Sequence, residues 1–183
     1  MIENLFTVKI AIGEVENKDI NRLFEEDAYN IKKQIVQNNV TEWNGDTFST
    51  LGYKLQPDEN MTKLLEHISQ SVYELADKTD FAVELKDFWF NVASPGQFQE
   101  FHTHENCHYS FVYYVKAPEN SGDISFFNPI RGDYTPDFDT GVAKNFTPKE
   151  GMFIVFRSNL MHMVKKNLSD QDRISISGNF IVK

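Results

Sequence analysis

The sequence predicts a mainly β protein, with a jelly-roll core and about two α-helices that buttress one outer face. About eight short apolar segments with the two-residue period of strands follow residue 81, and turn residues separate them. Two longer segments before that point have the helical period instead. Sixteen phenylalanines and seven tyrosines also favour sheet, because aromatic side chains pack well on pleated surfaces. Many short strands with loops between them are typical of a jelly roll or a related barrel.

The first part of the chain, residues 1–80, supplies an opening strand and the supporting helices. Asn17 precedes the first helical pattern and Asn60 opens the second, so each is a candidate N-cap. The apolar residues of both helices recur on one face, which predicts that they pack against a sheet. The predicted elements are a strand over 5–13, a helix over 18–38 and a helix over 60–78.

The second part, residues 81–183, is the predicted jelly-roll core. Glycine-, proline- and asparagine-rich turns separate its strands. No linker, repeat or low-complexity segment divides the chain, so the sequence predicts a single domain over 1–183. The predicted strands cover 82–93, 97–103, 108–116, 123–127, 142–147, 152–156, 162–166 and 172–182.

Composition restricts the partners and the compartment. A formal net charge of −9 disfavours nucleic-acid binding, because phosphate backbones would be repelled. The single cysteine excludes an internal disulfide framework and fits a reducing compartment. No run of about 18 apolar residues and no signal-peptide pattern occurs, so we expect a cytoplasmic protein without a membrane span. The sequence also allows a homodimer, since the first strand could pair with the same strand of a second copy.

Three histidines form a candidate metal site. His102 and His104 are two residues apart, so on a strand both would project from one face. His162 follows a distant apolar strand, which a jelly roll can bring to the same mouth of the barrel. Three protein ligands would leave positions open for a substrate or dioxygen. The alternatives for the second ligand are Glu105 and Asn106.

Two nearby residues have other interpretations. His108 lies across a probable bend from the histidine pair, which favours a supporting or surface position. Cys107 could complete a closed zinc site, but the direction of its side chain is open.

Polar residues around Arg173 form a candidate anion site. Ser175 and Ser177 alternate with isoleucines after this arginine, so one face of the last strand is polar. A guanidinium matches a carboxylate in two parallel hydrogen bonds. Tyr114 and Ser110 share a face of the strand after the histidine pair and could add donors to the same anion.

The candidate substrate contacts are Trp89 and Asn91 on the first core strand, and Arg131 and Tyr134 in a long charged loop. A loop of this length near a barrel mouth can cover a site, although it can also be a solvated surface excursion. For Trp89, a position in the hydrophobic core fits the sequence as well as a substrate contact does.

The stretch over residues 88–182 resembles the Fe(II)- and 2-oxoglutarate-dependent oxygenase superfamily, and within it the prolyl-hydroxylase-like group. The segments that carry the resemblance are FWFNV, HTHENCHYSFVYYV, GDISFFNP, PKEG, GMFIVFRSNLMH and RISISGNF. The resemblance implies a double-stranded β-helix fold, which is a jelly roll. It also implies Fe(II), 2-oxoglutarate and O2 as cofactor and cosubstrates, with succinate formed as an unidentified substrate is hydroxylated.

The resemblance assigns roles to particular residues. It implies that His102 and His162 bind iron, and that Arg173 holds the distal carboxylate of 2-oxoglutarate with help from Tyr114 and Ser175 or Ser177. His104 departs from the pattern, because the superfamily usually has a carboxylate at this position. A neutral ligand there leaves the site one negative charge short.

Two other functions fit parts of the pattern. Gly96 followed by the histidine pair is similar to the start of a cupin motif, although the glutamate expected after it is missing. A non-catalytic metal- or ligand-binding jelly roll is the other alternative. For an oxygenase, the substrate would be a small molecule or a peptide.

Overall fold

The computed structural model describes residues 7–15, 17–37, 47–129 and 143–183. The described residues confirm the prediction of a mainly β protein with two helices, α1 (Lys18–Gln37) and α2 (Glu59–Ala76). The strands are β1 (Ile10–Glu14), β2 (Phe48–Ser49), β3 (Val83–Ala93), β4 (Gln99–His102), β5 (Tyr109–Lys116), β6 (Ile124–Phe127), β7 (Ala143–Phe146), β8 (Met152–Arg157), β9 (His162–Val164) and β10 (Arg173–Val182).

The two helices begin at side-chain caps, and one cap differs from the prediction. Asn17 caps α1 as expected, since its Oδ1 accepts the Ile20 N–H at 3.1 Å. The prediction of Asn60 as the cap of α2 is wrong, because Asp58 accepts the Met61 N–H at 2.7 Å. An aspartate also complements the positive end of the helix dipole. Within the described residues, neither helix is long and apolar enough to span a membrane.

Two antiparallel sheets face each other, as in a jelly roll. The larger sheet has the strand order β1-β8-β5-β10-β3-β2, and the smaller one has β4-β9-β6-β7. The predicted first strand is shifted, since β1 is paired with β8 only over Ile10–Glu14. The two-residue strand β2 was not predicted, because it is too short to show a period.

Both faces of the larger sheet are buried, and each has its own core. The outer face packs under α1 and α2, where Phe90, Tyr113 and Ile176 join the buried helix residues Phe24 and Ile68. The inner face packs against the smaller sheet in a second cluster. The members of this inner cluster are Val112, Tyr114, Ile124, Phe126, Met152, Ile154, Phe156 and Leu160.

Strand β10 carries the polar face inward, toward the space between the sheets. Ile174 and Ile176 are fully buried on the helix side. Arg173, Ser175 and Ser177 alternate with them and line the internal cavity. Because helices cover the outer face of the sheet, the polar residues of this strand point into the barrel and not into solvent.

Candidate active site

His102 and His162 lie directly opposite each other on neighbouring strands. They are Cα partners in the β4–β9 ladder, and their ring centroids are 4.2 Å apart. His162 also pairs with Phe126 on β6, and it is only 3% exposed. Residues 60 apart in the sequence therefore meet because the ladder sets them side by side.

His104 reaches the same point from a loop. The expectation that it shares a strand with His102 is wrong, because β4 ends at His102. The His104 N–H donates to the Ser158 carbonyl at 2.8 Å, which holds the loop against the end of β8. Its Nε2 lies 3.3 Å from His162 Nε2. Candidate ligand atoms of the three histidines all lie within 4.8 Å of one another.

Backbone carbonyls set the tautomers of two of these rings. His102 Nδ1 lies 2.7 Å from the Glu100 carbonyl, and His162 Nδ1 lies 2.8 Å from the Leu160 carbonyl. A carbonyl only accepts, so each Nδ1 carries the proton and donates it. The Nε2 lone pair of each ring is then left for a metal ion, as in many histidine-ligated centres.

Burial keeps all three imidazoles neutral. Desolvation, followed by the charge of His102, lowers the pKa of His162 to about 3 and that of His104 to about 4. Desolvation also lowers the pKa of His102, against an opposing hydrogen bond to the Glu100 carbonyl. Neutral imidazole is the form that binds a metal. The donor set fits a divalent transition ion such as iron, since imidazole suits zinc, copper, iron and nickel.

The candidates Glu105, Cys107 and His108 do not join the cluster. Among the described residues, His102, His104 and His162 are the group of potential ligands that could hold an ion. His108 instead accepts the Val182 N–H through Nδ1 at 3.0 Å. Three donors leave the site open, which fits a catalytic better than a structural centre.

Arg173 lines the same cavity and is held by a cradle of backbone carbonyls. Its Nη1 donates to the carbonyls of Ser121, Gly122 (3.3 Å) and Lys165 (3.5 Å). The side chain is 4% exposed, and burial lowers its pKa. All three of these hydrogen bonds come from Nη1, so the N–H groups of Nη2 and Nε remain for an anion.

The Tyr114 hydroxyl is a buried donor without a protein partner among the described residues. Burial raises the pKa of this phenol, while the charge of Arg173 opposes the rise. Tyr114 lines the cavity, and Ser175 pairs with it directly across the β5–β10 ladder. A buried hydroxyl left unpaired is costly, so this atom is a donor available to a ligand in the cavity.

A cavity of about 370 Å³ connects the histidines to Arg173. Trp89 lines it and stacks on His104, with ring centroids 5.6 Å apart and planes inclined by 25°. Asn91 lines it too and donates to the Ser177 hydroxyl at 3.2 Å. Both candidate substrate residues that the structure describes therefore line the cavity, and Trp89 contacts one of its histidines.

Among the described residues, one predicted site residue, Ser110, does not line this cavity. The Ser110 hydroxyl lies 2.7 Å from Asn179 Oδ1 and 2.9 Å from Ser158 Oγ. Ser110 is two residues before Val112 and four residues before Tyr114 on β5. Arg131 and Tyr134 lie outside the described residues.

Asn179 and Asp87 are among the polar residues that line the cavity and that sequence reasoning did not assign to the site. The alternation that begins at Arg173 extends to Asn179, so this residue could have been found. No pattern in the sequence around Asp87 indicated a place in the site. Asp87 lies beside Asn179 only because its strand pairs with a strand about 90 residues away.

The fold and the histidine site are typical of a metal-dependent oxygenase, and sequence comparison agrees. The family model described as "Putative 2OG-Fe(II) oxygenase" matches residues 87–179, just over half of the chain. The chain belongs to this family of Fe(II)- and 2-oxoglutarate-dependent oxygenases, and it is an oxidoreductase. No curated protein sequence matches it.

Solved structures of oxygenases share the fold. A Pseudomonas putida prolyl-4-hydroxylase is 18% identical, with a TM-score of 0.64 over 96% of this chain and 88% of that one. The viral collagen prolyl hydroxylase of Paramecium Bursaria Chlorella virus-1, in its 2OG complex, is 14% identical, with a TM-score of 0.61 over 95% and 96%. The carbocyclase SnoK from nogalamycin biosynthesis is 13% identical, with a TM-score of 0.67 over 94% and 79%. These identities establish the fold and leave the substrate open.

Proposed function

We propose that His102, His104 and His162 hold the catalytic Fe(II) of this oxygenase. The support is the convergence of three neutral rings, two of which have Nδ1 engaged by a carbonyl and Nε2 therefore unprotonated. Three imidazoles bring no negative charge, unlike the set of two histidines and one carboxylate that many non-haem iron oxygenases use. The ion would therefore keep its full double charge and attract an anionic cosubstrate strongly.

Arg173 and Tyr114 are our proposed partners for the distal carboxylate of 2-oxoglutarate. The carbonyl cradle orients the guanidinium, and the unpaired phenol is a donor that needs an acceptor. Ser175 and Ser177 border the path from this end of the cavity to the histidines. Ser110 was also a candidate, but its hydroxyl is engaged by Asn179, so we assign it a supporting position.

The bound iron and 2-oxoglutarate would supply the oxidising chemistry, in which O2 is consumed, 2-oxoglutarate becomes succinate and CO2, and a substrate C–H bond becomes C–OH. The chain itself would position the reactants and exclude water, since His162, Tyr114 and Arg173 are nearly inaccessible to solvent. Trp89 and Asn91 would contact the substrate, with Arg131 and Tyr134 as further candidates. The substrate class is a small molecule or a peptide.

The single observation that carries this proposal is one cavity lined by the three histidines, Arg173 and the unpaired Tyr114. An oxygen-free titration of the Fe(II)-loaded protein with 2-oxoglutarate tests it. We expect a weak visible charge-transfer band, which Arg173→Ala abolishes at the same cosubstrate concentration. Admission of oxygen should then release succinate.

The outcomes separate the alternatives. A protein that binds iron without forming the band would contradict the cosubstrate site, and a cupin-like metalloenzyme would behave in this way. A protein that forms the band but releases no succinate with any candidate substrate would be a non-catalytic binding module.

A further inference from the structure

Strands β3 and β10 form a polar strip along one wall of the cavity. Alternate residues of the two strands line the cavity and are paired across the ladder. In register order, the pairs are Asp87–Asn179, Trp89–Ser177 and Asn91–Ser175, and Arg173 follows on β10. Asn179 and Arg173 are six positions apart on this strand, which corresponds to about 20 Å. The strip therefore has a guanidinium at one end and a carboxylate near the other.

The histidine cluster lies between these two ends of the strip. His104 stacks on Trp89, with ring centroids 5.6 Å apart. Trp89 is two positions from Asp87 on β3. It is four positions from the ladder partner of Arg173. A cosubstrate held at Arg173 would approach the histidines from one side, which leaves Asp87 on the side where the substrate would lie.

A β-bulge in β3 brings two charged residues to this end of the strip. Asn179 pairs with Asp87, whereas the next residue of β10, Phe180, pairs with Leu85, so Lys86 is an extra residue. Leu85 and Phe180 then join the core under the helices. Lys86 and Asp87 both line the cavity. Bulges redirect side chains in this way and are frequent beside active sites.

A buried hydrogen-bond network holds the Asp87 carboxylate in place. Asn179 Nδ2 donates to Asp87 Oδ1 at 2.6 Å. Asn179 Oδ1 in turn accepts from the Ser110 hydroxyl at 2.7 Å, and Ser158 Oγ lies 2.9 Å from Ser110 Oγ. Asn179, Ser110 and Ser158 are at most 5% exposed. Buried networks of this kind are rigid, so the carboxylate is oriented before any ligand enters.

The carboxylate of Asp87 still has acceptor sites available for a ligand. An ionised carboxylate offers about four such sites, and the Asn179 amide uses one of them. Lys86 Nζ is 3.9 Å from Oδ2 and donates to the Glu105 carbonyl at 3.1 Å. The side chains of Lys86 and Asp87 are 31% and 40% exposed, so this ion pair contributes little. Asp87 is also outside the group of residues that could hold the metal ion.

We propose that Asp87 binds a protonated amine of the substrate, and that the oxygenase therefore acts on an amine-bearing molecule. This inference rests on the function proposed above. An ammonium group carries three donors and a compact charge, so it can bind Oδ2 while the Asn179 amide keeps Oδ1. Trp89 lies on the same face of β3 and offers an indole to the same cation. With the amine at Asp87, the carbon chain of the substrate extends toward the histidines.

Ligand-observed NMR on the metal-free protein tests the inference without iron, cosubstrate or oxygen. The probes are butylamine, butyramide and butyrate, which share a carbon chain of the same length and differ in charge. We expect butylamine to bind about 10-fold more tightly than the other two, because a hydrogen bond between charged groups is stronger than a neutral one. Asp87→Asn keeps an acceptor for the Asn179 amide and should remove this preference.

Lys86→Gln is a second variant that changes an exposed side chain, so the test does not depend on the folding of Asp87→Asn alone. It removes the cation that competes for Asp87, and we expect it to tighten butylamine binding about two-fold. The matched control is Glu84→Gln, because Glu84 is another carboxylate of β3 and pairs with Lys183 outside the cavity. The control should bind all three probes like the wild type.

The same spectra show which result would overturn the inference. Tighter binding of butyrate than of butylamine, with loss of butyrate binding in Lys86→Gln, would make Lys86 the recognition residue for an anionic substrate. A preference for butylamine that survives in Asp87→Asn would place the amine elsewhere. Either result contradicts the role of Asp87.

A blocked tripeptide with a central lysine distinguishes the two sources of an amine. Binding of butylamine alone through Asp87 assigns a small molecule, and binding of both probes through Asp87 assigns a lysine side chain. Co(II) then separates this inference from the proposed metal site. Bound Co(II) should broaden the butylamine resonances, and Co(II) that binds without this effect would overturn the position of the amine. A protein that binds butylamine through Asp87 but does not bind Co(II) would instead contradict the metal site.

Discussion

His102 and His162 are direct cross-strand partners in the β4–β9 ladder, with ring centroids 4.2 Å apart. This pairing is the rigid part of the site, because both residues belong to strands and both have Nδ1 tied to a backbone carbonyl. His104 adds to the pair from a loop. The site therefore combines two candidate ligands on paired strands with one that lies in a loop.

Replacement of His162 should abolish tight metal binding. We expect His162→Ala to weaken Co(II) affinity by at least about 100-fold, because two remaining imidazoles cannot match three converging donors. Calorimetric titration of the metal-free protein measures this effect. His67→Ala is the control, since His67 lies on α2 against Phe153 and outside the cluster. Equal losses in both variants would contradict the proposed ligand set.

Removal of the Tyr114 hydroxyl should weaken cosubstrate binding without loss of stability. We expect Tyr114→Phe to raise the Kd for 2-oxoglutarate about 10-fold, since one hydrogen bond to a charged group contributes roughly 1.5–3 kcal/mol. Its unfolding midpoint in urea should be unchanged or higher, because the free protein loses an unpaired buried hydroxyl.

Tyr109→Phe is a close control for that experiment. The Tyr109 hydroxyl is also buried and without a partner among the described residues, but its ring packs under Arg157 and does not line the cavity. We expect an unchanged Kd for 2-oxoglutarate. If both variants weaken cosubstrate binding alike, Tyr114 has no special place in the carboxylate site.

Gly122 should prove necessary for the cradle around Arg173. Its φ is +95°, and a Cβ would lie 2.3 Å from the Lys165 carbonyl oxygen, which itself accepts from Arg173. We expect Gly122→Ala to displace this carbonyl, lower the free energy of unfolding and raise the Kd for 2-oxoglutarate about 10-fold or more.

Gly96→Ala separates backbone strain from displacement of the cradle. Gly96 has a similar φ of +87°, but a Cβ there meets nothing within 4 Å. This variant should lose roughly 1–2 kcal/mol of stability from the left-handed conformation alone. Its affinity for 2-oxoglutarate should stay at the wild-type value, and a matching loss would argue against the role of the carbonyl cradle.

The metal-free protein should lose stability on acidification below about pH 6.5. His162 and His104 have pKa values of about 3 and 4 in the folded chain, against 6.5 for an ordinary histidine. Between these values the unfolded chain binds protons that the folded chain does not, so the free energy of unfolding falls as the pH falls. Each ring contributes up to about 1.4 kcal/mol per pH unit in this window.

Urea unfolding of the metal-free protein at pH 7, 6 and 5 measures this dependence. His162→Gln removes one of the titrating rings and should reduce the slope relative to the wild type. The same slope in His162→Gln and the wild type would show that the buried ring does not resist protonation.

Much of the site could be predicted from local pattern. The two-residue alternation after Arg173 predicted a strand with one polar face, and the covered outer face of the sheet turns that polar face inward. The separation of His102 and His162 was compatible with neighbouring strands of a jelly roll. Periodicity fails where strands are very short, so β2 was not predicted. The predicted strand over 97–103 ended close to the observed end of β4, but the expectation that His104 projects from that strand beside His102 was wrong.

The sequence by itself determined the fold class, the three histidines and the arginine, because strand period and residue type are local properties of the chain. Only the tertiary structure decided that His102 and His162 are cross-strand partners, and that the Asn179 amide is held by Asp87. Those contacts join residues far apart in the chain, and their geometry depends on ladder register. The physical reason is that register is set by the packing of whole sheets, which no single segment encodes.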